Sequence, residues 1–492
     1  MPPINDGDTA WVLASSALVL LMTPGLALFY GGMVRTRNVL NMLMMNFATI
    51  AVVSLLWVGY GFTLAFTTGN GFVGWHGWWG LRGTFDALTG APGNQIPVLA
   101  FAAFQVMFAI ITPALISGAV ADRAKFGAWL IFVAAWTSLV YFPVAHWVFF
   151  FDNGNGGWIA DRLKAFDFAG GTAVHVDAGA AGLALALVLG KRAGWPKERF
   201  KPHNVPMVLL GAGLLWFGWF GFNAGSALAA NGLSAITFVN TQIATGAALI
   251  GWITVEWLRD GKPTTLGAAS GAVAGLVAIT PACATVEPLG AIALGLIAGA
   301  VCATAVGLKY KLGFDDALDV VGVHLVGGAV GALLIGFLAA PFISGTGGVA
   351  GLLYGGGPAQ LGRQAVAVLA VGAYSFALAY LIGTAIEKTI GFRVRPEAEA
   401  EGLDTAEHAE SAYDLTPTAG GGGFALAGIG ARPPGRGDHR DARVAPVEPR
   451  TGPAPEAGAA PVAGPAPEPG AAPVAGPEPE PAAERVAGRT AR

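Results

Sequence analysis

Long apolar runs separated by short polar connections make up most of this chain. Eleven runs can be marked, at about 10–31, 43–66, 96–120, 127–150, 170–190, 205–226, 236–258, 265–285, 289–308, 317–340 and 364–387. A helix that crosses a bilayer needs roughly 17–25 mainly apolar residues, which each run supplies. A strand of a membrane barrel would instead alternate apolar and polar positions. Ile243-Ala-Thr-Gly-Ala-Ala-Leu-Ile-Gly-Trp-Ile-Thr254 does not alternate. The pattern predicts an all-α polytopic membrane protein with eleven transmembrane helices.

The polar connections predict its orientation. With the N-terminus outside, the inside segments contain Arg35, Arg37, Arg123, Lys125, Lys191, Arg192, Lys197, Arg199, Lys201, Arg259, Lys262, Lys309, Lys311, Lys388, Arg393 and Arg395. The outside segments contain only Arg82, Arg162, Lys164 and Arg363. Basic residues collect on the cytoplasmic side of membrane proteins, so the expectation is N-out and C-in. Residues 1–9 lack a basic leader segment, and the first run is expected to be a retained helix. Helices one to five and six to ten then form two five-helix sets of opposite orientation, an inverted repeat of the kind found in transporters. The eleventh helix stands outside the pairing.

Composition sharpens this division. The 492 residues are 54% hydrophobic and 12% charged. Residues 393–492 hold 25 of the 59 charged residues, which leaves 34 in the first 392. A soluble domain cannot cover its surface with so few charges. A net charge of −3 gives no basis for nucleic-acid binding. Cys283 and Cys302 lie in separate apolar runs and imply neither a disulfide framework nor a thiolate metal site. Small-residue clusters such as Gly211-Ala-Gly213 and Gly327-Gly-Ala-Val-Gly331 fit closely packed helices. Three regions result: a membrane domain over 1–390, a cytoplasmic segment over 391–415, and a Pro/Ala/Gly-rich tail over 416–492. In the tail, Ala459-Ala-Pro-Val-Ala-Gly-Pro465 recurs as Ala471-Ala-Pro-Val-Ala-Gly-Pro477. Having few large apolar side chains, the tail is expected to be disordered.

Ionisable groups within membrane helices are costly, which makes them functional candidates. His175, Asp177 and His324 lie deep in their runs, while His146, Glu256 and Asp319 lie near the ends. One histidine alone is best explained by an interhelical hydrogen bond. Two at equivalent positions of inverted helices, each after a carboxylate (Asp167-x7-His175 and Asp319-x4-His324), point to a proton path near the midplane. Asp167 opens the fifth helix, where it can cap backbone N–H groups and also favour a cation in an outer vestibule. Trp75, Trp78 and Trp79 have the character of interfacial anchors. Phe104, Phe108, Phe149 and the rings of Trp216-Phe-Gly-Trp-Phe-Gly-Phe222 lie toward the outer ends of their helices, where aromatic faces can hold a small cation. No Walker A, HExxH or GxSxG pattern is present. Neither enzymatic catalysis, ATP-driven pumping nor a cofactor is indicated.

Several of these motifs together resemble the ammonium transporter (Amt/Mep/Rh) family, and closely its bacterial members. They are Pro24-Gly-Leu-Ala-Leu-Phe-Tyr-Gly-Gly32, Asp167-Phe-Ala-Gly-Gly-Thr-Ala-Val-His175, Lys201-Pro-His-Asn-Val-Pro-Met207, Gly218-Trp-Phe-Gly-Phe-Asn-Ala-Gly-Ser226, Thr280-Pro-Ala-Cys283 and Asp319-Val-Val-Gly-Val-His324. The resemblance implies a homotrimer in the cell membrane, with one narrow pore per subunit for ammonium, ammonia and methylammonium. It implies that Phe108 and Phe222 stack across the outer end of the pore. Ser226, Asp167 and Phe104 would serve the outer ammonium site, and His175 and His324 would be the paired pore histidines. It further implies a PII-type signal protein as partner, with Gly402, Asp404, His408 and Tyr413 in the regulatory segment.

Three positions depart from the family pattern. Phe149 stands where Trp is usual at the outer site; Trp147, two residues away on a helix, faces elsewhere. Asp177 replaces an uncharged polar residue, and a salt bridge, a cap and a protonated acid all remain open for it. Ala409 replaces a glycine. The function expected is recruitment of ammonium, its deprotonation and conduction of ammonia past the histidines. An ammonium sensor acting through residues 393–413 and a passive Rh-type gas channel are the alternatives.

Overall fold

The computed structural model describes residues 4–198 and 200–413. The repetitive tail expected over 416–492 lies outside the described residues. Among the described residues, ten helices are long and apolar enough to cross a membrane: α1 (Asp6–Met33), α2 (Thr36–Phe66), α3 (Val98–Val120), α4 (Phe126–Phe149), α5 (Gly171–Leu189), α6 (Val205–Gly225), α7 (Gly232–Asp260), α9 (Pro288–Leu312), α10 (Val321–Leu338) and α11 (Ala359–Thr389). Between α7 and α9 lies a shorter apolar helix, α8 (Thr265–Ile279). Every expected run overlaps one of these helices. Two short helices follow, α12 (Pro396–Glu401) and α13 (Leu403–His408). A two-residue antiparallel ladder, β1 (Leu88–Thr89) with β2 (Ile96–Pro97), sits in the long connection before α3.

Local chemistry sets several ends. The Asn5 side chain accepts from Asp8 N at the start of α1, and Asn204 accepts from Met207 N at the start of α6. Asn231 and Ser234 form a reciprocal capping box on α7. Helix α8 stops at Ile279, ahead of Thr280-Pro281, whose proline cannot continue the hydrogen-bond ladder. The Pro281 carbonyl is used instead by Phe168 N at 3.2 Å, which ties this break to the entry of α5.

Small residues then set the distances between helices. A Cβ on Gly211 of α6 would run into the backbone of Phe29 on α1, so these two helices can meet only where glycine stands. A Cβ on Gly328 of α10 would collide with the Gly171 carbonyl and crowd the His175 Cβ. The α5–α10 crossing therefore depends on that missing side chain. Helix α5 lies between α10 and α11, completely buried along most of its length. Both α5 and α10 begin with a π-helical turn, Gly171–Val176 and Val321–Leu325, and each turn contains a histidine. π-Turns widen the backbone locally and concentrate at functional positions.

The basic end of the bundle is held by buried ion pairs. Arg192 bridges Asp315 at 2.8 Å and Asp122 at 3.3 Å, and Arg35 also approaches Asp122 at 3.3 Å. Asn38 donates to Asp122, and Arg123 donates to the Asp315 carbonyl at 2.6 Å. Residues 392–413 form a strap over this end. Lys125 N bonds the Phe392 carbonyl and Val394 N the Arg123 carbonyl, while Leu403 N donates to Asn38 Oδ1. The Asp404 carboxylate accepts from Asn41 N at 2.9 Å. His408 meets Asn41 Oδ1 at 3.0 Å and Tyr413 meets His203 at 3.0 Å. Gly402 takes a φ of 117° directly against Arg37, where a side chain would fit neither the backbone nor the space.

Candidate functional site

At the charge-poor end of the bundle an aromatic cavity of about 350 Å3 opens above α3 and α6. Its walls include Phe62, Phe66, Trp78, Phe101, Gln105, Phe108, Phe149 and Ser226. An adjoining cavity of about 510 Å3 shares Phe149, Phe168 and Ser226 and is bounded by Asp167, Lys164 and Arg363. Ser226 closes α6, and its hydroxyl donates to the Phe222 carbonyl at 2.8 Å. Its proton is therefore committed and its oxygen lone pairs remain to accept from an N–H donor.

Beneath the cavity, Phe108 of α3 and Phe222 of α6 stack with ring centroids 4.2 Å apart and planes 26° apart. Neither ring has appreciable exposed surface. Below them His175 lies 6.1 Å from Phe222, centroid to centroid, and is stacked on Trp219 at 5.4 Å. Trp219 is fixed by its indole N–H donating to Thr280 Oγ1 at 2.8 Å. His324 follows, with its Nδ1 3.3 Å from Nδ1 of His175 and the rings 29° apart. The far nitrogen of His175 is buried without a protein partner. Cavity, ring pair and imidazole pair thus form one series through an apolar interior.

The backbone geometry of each histidine is set by a carboxylate. Asp167 accepts five hydrogen bonds: Gly170 N (2.8 Å), Gly171 N (2.6 Å), Thr172 N (2.7 Å), Ala173 N (3.1 Å) and the Thr172 hydroxyl. The four backbone donors are otherwise unpaired N–H groups at the start of α5. On α10 the corresponding carboxylate is Asp316, which accepts from Val320 N at 3.1 Å and Val321 N at 2.7 Å. This corrects the pairing expected from sequence, which matched Asp319 with Asp167. Asp319 is instead bonded to Lys309 at 2.7 Å. A signal for Asp316 was present, since Asp167 and Asp316 each stand eight residues before their histidine.

Other expected positions divide. Phe149 and Ser226 reach the cavity, whereas Phe104 has no exposed surface and packs edge-on against Phe108 at 4.9 Å. Phe101 and Gln105, one turn earlier and one residue later, line the wall instead. Trp78 stacks on Phe62 at 5.7 Å and lines the cavity. Trp147 does face elsewhere, donating to the Phe72 carbonyl at 2.8 Å. His146 bonds the Ala65 and Asn70 carbonyls, and Glu256 accepts from Thr264 N, so both hold loops in place. Asp177 neither caps nor forms a salt bridge, and both of its carboxylate oxygens are buried without a protein partner.

The fold is that of a polytopic helical membrane protein with an aromatic cavity, a stacked ring pair and two facing imidazoles in series. The Ammonium Transporter Family model matches residues 10–413, and the chain belongs to that family. It is 58% identical over 438 residues to an ammonium transporter of Mycobacterium tuberculosis, an alignment covering 85% of this chain and 92% of that protein. Its structure is similar to that of Candida albicans Mep2, with a TM-score of 0.73 and 34% identity, covering 80% of this chain and 87% of that one. It is also similar to a protein described as a sensor Amt protein, at TM-score 0.75 and 29% identity, over 82% and 98% of the respective chains.

Proposed function

We propose that this membrane transporter recruits ammonium in the aromatic cavity, removes its proton near the Phe108–Phe222 pair, and conducts ammonia past His175 and His324. The observation that carries the reading is the unbroken order of acceptor, ring pair and imidazole pair. Ser226 Oγ offers an acceptor to an N–H donor, and the faces of Phe149 and its neighbours offer cation–π attraction, at roughly 2 kcal/mol when desolvated. Asp167 contributes mainly by shaping the turn, because its lone pairs are already engaged. Phe104 supports the edge of Phe108. A bare cation would lose far more hydration in the apolar segment below than the imidazoles return, whereas a neutral ammonia molecule avoids that cost. The histidine pair supplies donor and acceptor nitrogens in an otherwise apolar passage.

In this reading α8 crosses the membrane as well, giving eleven spans with the N-terminus outside. The basic connections that contain Arg192 and Arg123 then face the cytoplasm. Residues 1–390 form the transporting domain and 391–415 a cytoplasmic regulatory segment. The protein works as a homotrimer in the cell membrane, each subunit with its own pore, and a PII-type protein docks on the cytoplasmic face. The strap through Gly402, Asp404, His408 and Tyr413 links that face to α2 and the connection before α6.

The same strap favours a second reading, an ammonium sensor that passes occupancy to a cytoplasmic partner. Currents on a solid-supported membrane, with ammonium and methylammonium pulses on reconstituted protein, separate the readings. A transporter gives a concentration-dependent signal, a pure sensor binds without conducting, and a passive gas channel passes ammonia with no current.

A further inference from the structure

Helix α5 carries a second ionisable group that the pore does not use. Asp177 follows His175 by two residues, which on a helix turns its side chain to the opposite face. That face packs on α11, where the Ser375 hydroxyl donates to the Asp177 backbone carbonyl at 2.7 Å and lies beside the carboxyl. The carboxyl has no exposed surface, and both of its oxygens lack a protein hydrogen-bond partner.

Among the described residues around it no cation faces the carboxyl, and the neighbouring Ser375 hydroxyl already donates to the backbone carbonyl. From α11 the ionisable side chain in range is Tyr374, and from α4 it is Tyr141. Residues 364–386 of α11 and 98–120 of α3 contain no Lys, Arg, Asp or Glu, and 126–150 of α4 have none either. Helix α10 offers His324, which is turned to His175, and α5 itself offers His175 on its other face. An ionised carboxylate buried in hydrocarbon without a cation or donors costs several kcal/mol, and binding one proton removes that cost.

We propose that Asp177 is an off-pore proton-binding site, occupied at neutral pH, at which a carboxylic acid rather than a carboxylate packs between α5 and α11. The proton is its ligand: it forms an O–H bond on one carboxyl oxygen and leaves the site without net charge. Because this site lies on the opposite face from the histidine pair, the proposal does not depend on the transport reading.

Infrared difference spectroscopy on the purified, membrane-reconstituted protein tests it directly. Subtracting the spectrum of Asp177→Asn from that of the unsubstituted protein at neutral pH should leave the C=O stretch of one protonated carboxylic acid, shifted in deuterium oxide. Asparagine is nearly isosteric and uncharged, so the variant should fold. Asp177→Glu, which moves the frequency of an acid carbonyl without abolishing it, provides the same assignment should the amide variant fail to reach the membrane. A carboxylate stretch at neutral pH in place of the acid band overturns the proposal, as does a carboxylate band that appears only with sodium present and marks a metal cation as the ligand.

Discussion

His175 and His324 meet Nδ1 to Nδ1 at 3.3 Å. A hydrogen bond at that separation requires one nitrogen to donate and the other to accept, which couples the tautomers of the two imidazoles. Replacing both with alanine removes the polar atoms of the passage. Ammonium-evoked current should fall about tenfold or more, or lose its discrimination against other cations. Unchanged flux and selectivity in the double variant would remove the pair from the mechanism.

The Phe149 ring lines both cavities. Indole has a stronger cation–π face than phenyl, and the interaction as a whole is worth about 0.5–1 kcal/mol at an exposed site. Phe149→Trp should therefore raise the apparent affinity for ammonium by up to about fivefold, read as a lower half-saturating concentration in current titrations.

Phe108 stacks on Phe222 beneath the cavity, where the proposed path would pass. Phe108→Ala opens space that one extra methyl group can occupy. The preference for ammonium over methylammonium should drop by about tenfold, the scale of discrimination that a single methyl group supports. Paired current measurements with the two substrates check this.

Ala409 ends α13 with a φ of 55°, the left-handed region in which a Cβ is unfavourable by about 1–2 kcal/mol. Its N–H bonds the Thr405 carbonyl, so the conformation is part of the helix cap. Ala409→Gly should tighten the strap and slow amide hydrogen exchange over residues 402–413 by about fivefold or more. Equal exchange in both proteins would show that the strain is relieved elsewhere.

At the basic end, burial pushes the Asp315 carboxyl up, but the hydrogen bonds and charge of Arg192 outweigh it and hold the group below the usual carboxylate range. A depressed value in the folded state contributes stability above the unfolded value of about 3.9 and loses it as pH falls through the folded one. Acid melting curves should thus drop below about pH 4, and Asp315→Asn should lack this part of the drop. Arg192→Ala leaves Asp122 and Asp315 buried without their shared cation, a cost of about 3–5 kcal/mol visible as a lower melting temperature at neutral pH.

Within the site, legibility followed local constraint. His175, His324 and Ser226 could be marked because an ionisable or polar side chain is conspicuous in an apolar run. The partner of His324 was mistaken because Asp316 and Asp319 are both carboxylates ahead of one helix. What decides between them is the path of the backbone, which gives Asp316 the N–H groups of Val320 and Val321 and leaves Asp319 to Lys309. Phe104 and Phe101 are alike in sequence, and only the rotation of α3 turns one toward Phe108 and the other into the cavity.

The chain by itself determined that these helices form and where each one lies. Hydrocarbon tolerates no unpaired backbone, so a run of about 20 apolar residues has few other ways to fold. It also marked which buried positions are candidates for chemistry, because a polar side chain in such a run is costly enough to be informative. Only the tertiary structure decided that two imidazoles from distant helices meet, that two phenyl rings stack beside them, and that Asp177 turns away to α11. Those relationships depend on helix rotation and on the distance at which Gly211 and Gly328 let backbones meet, and neither quantity is written in the spacing of residues along one strand of chain.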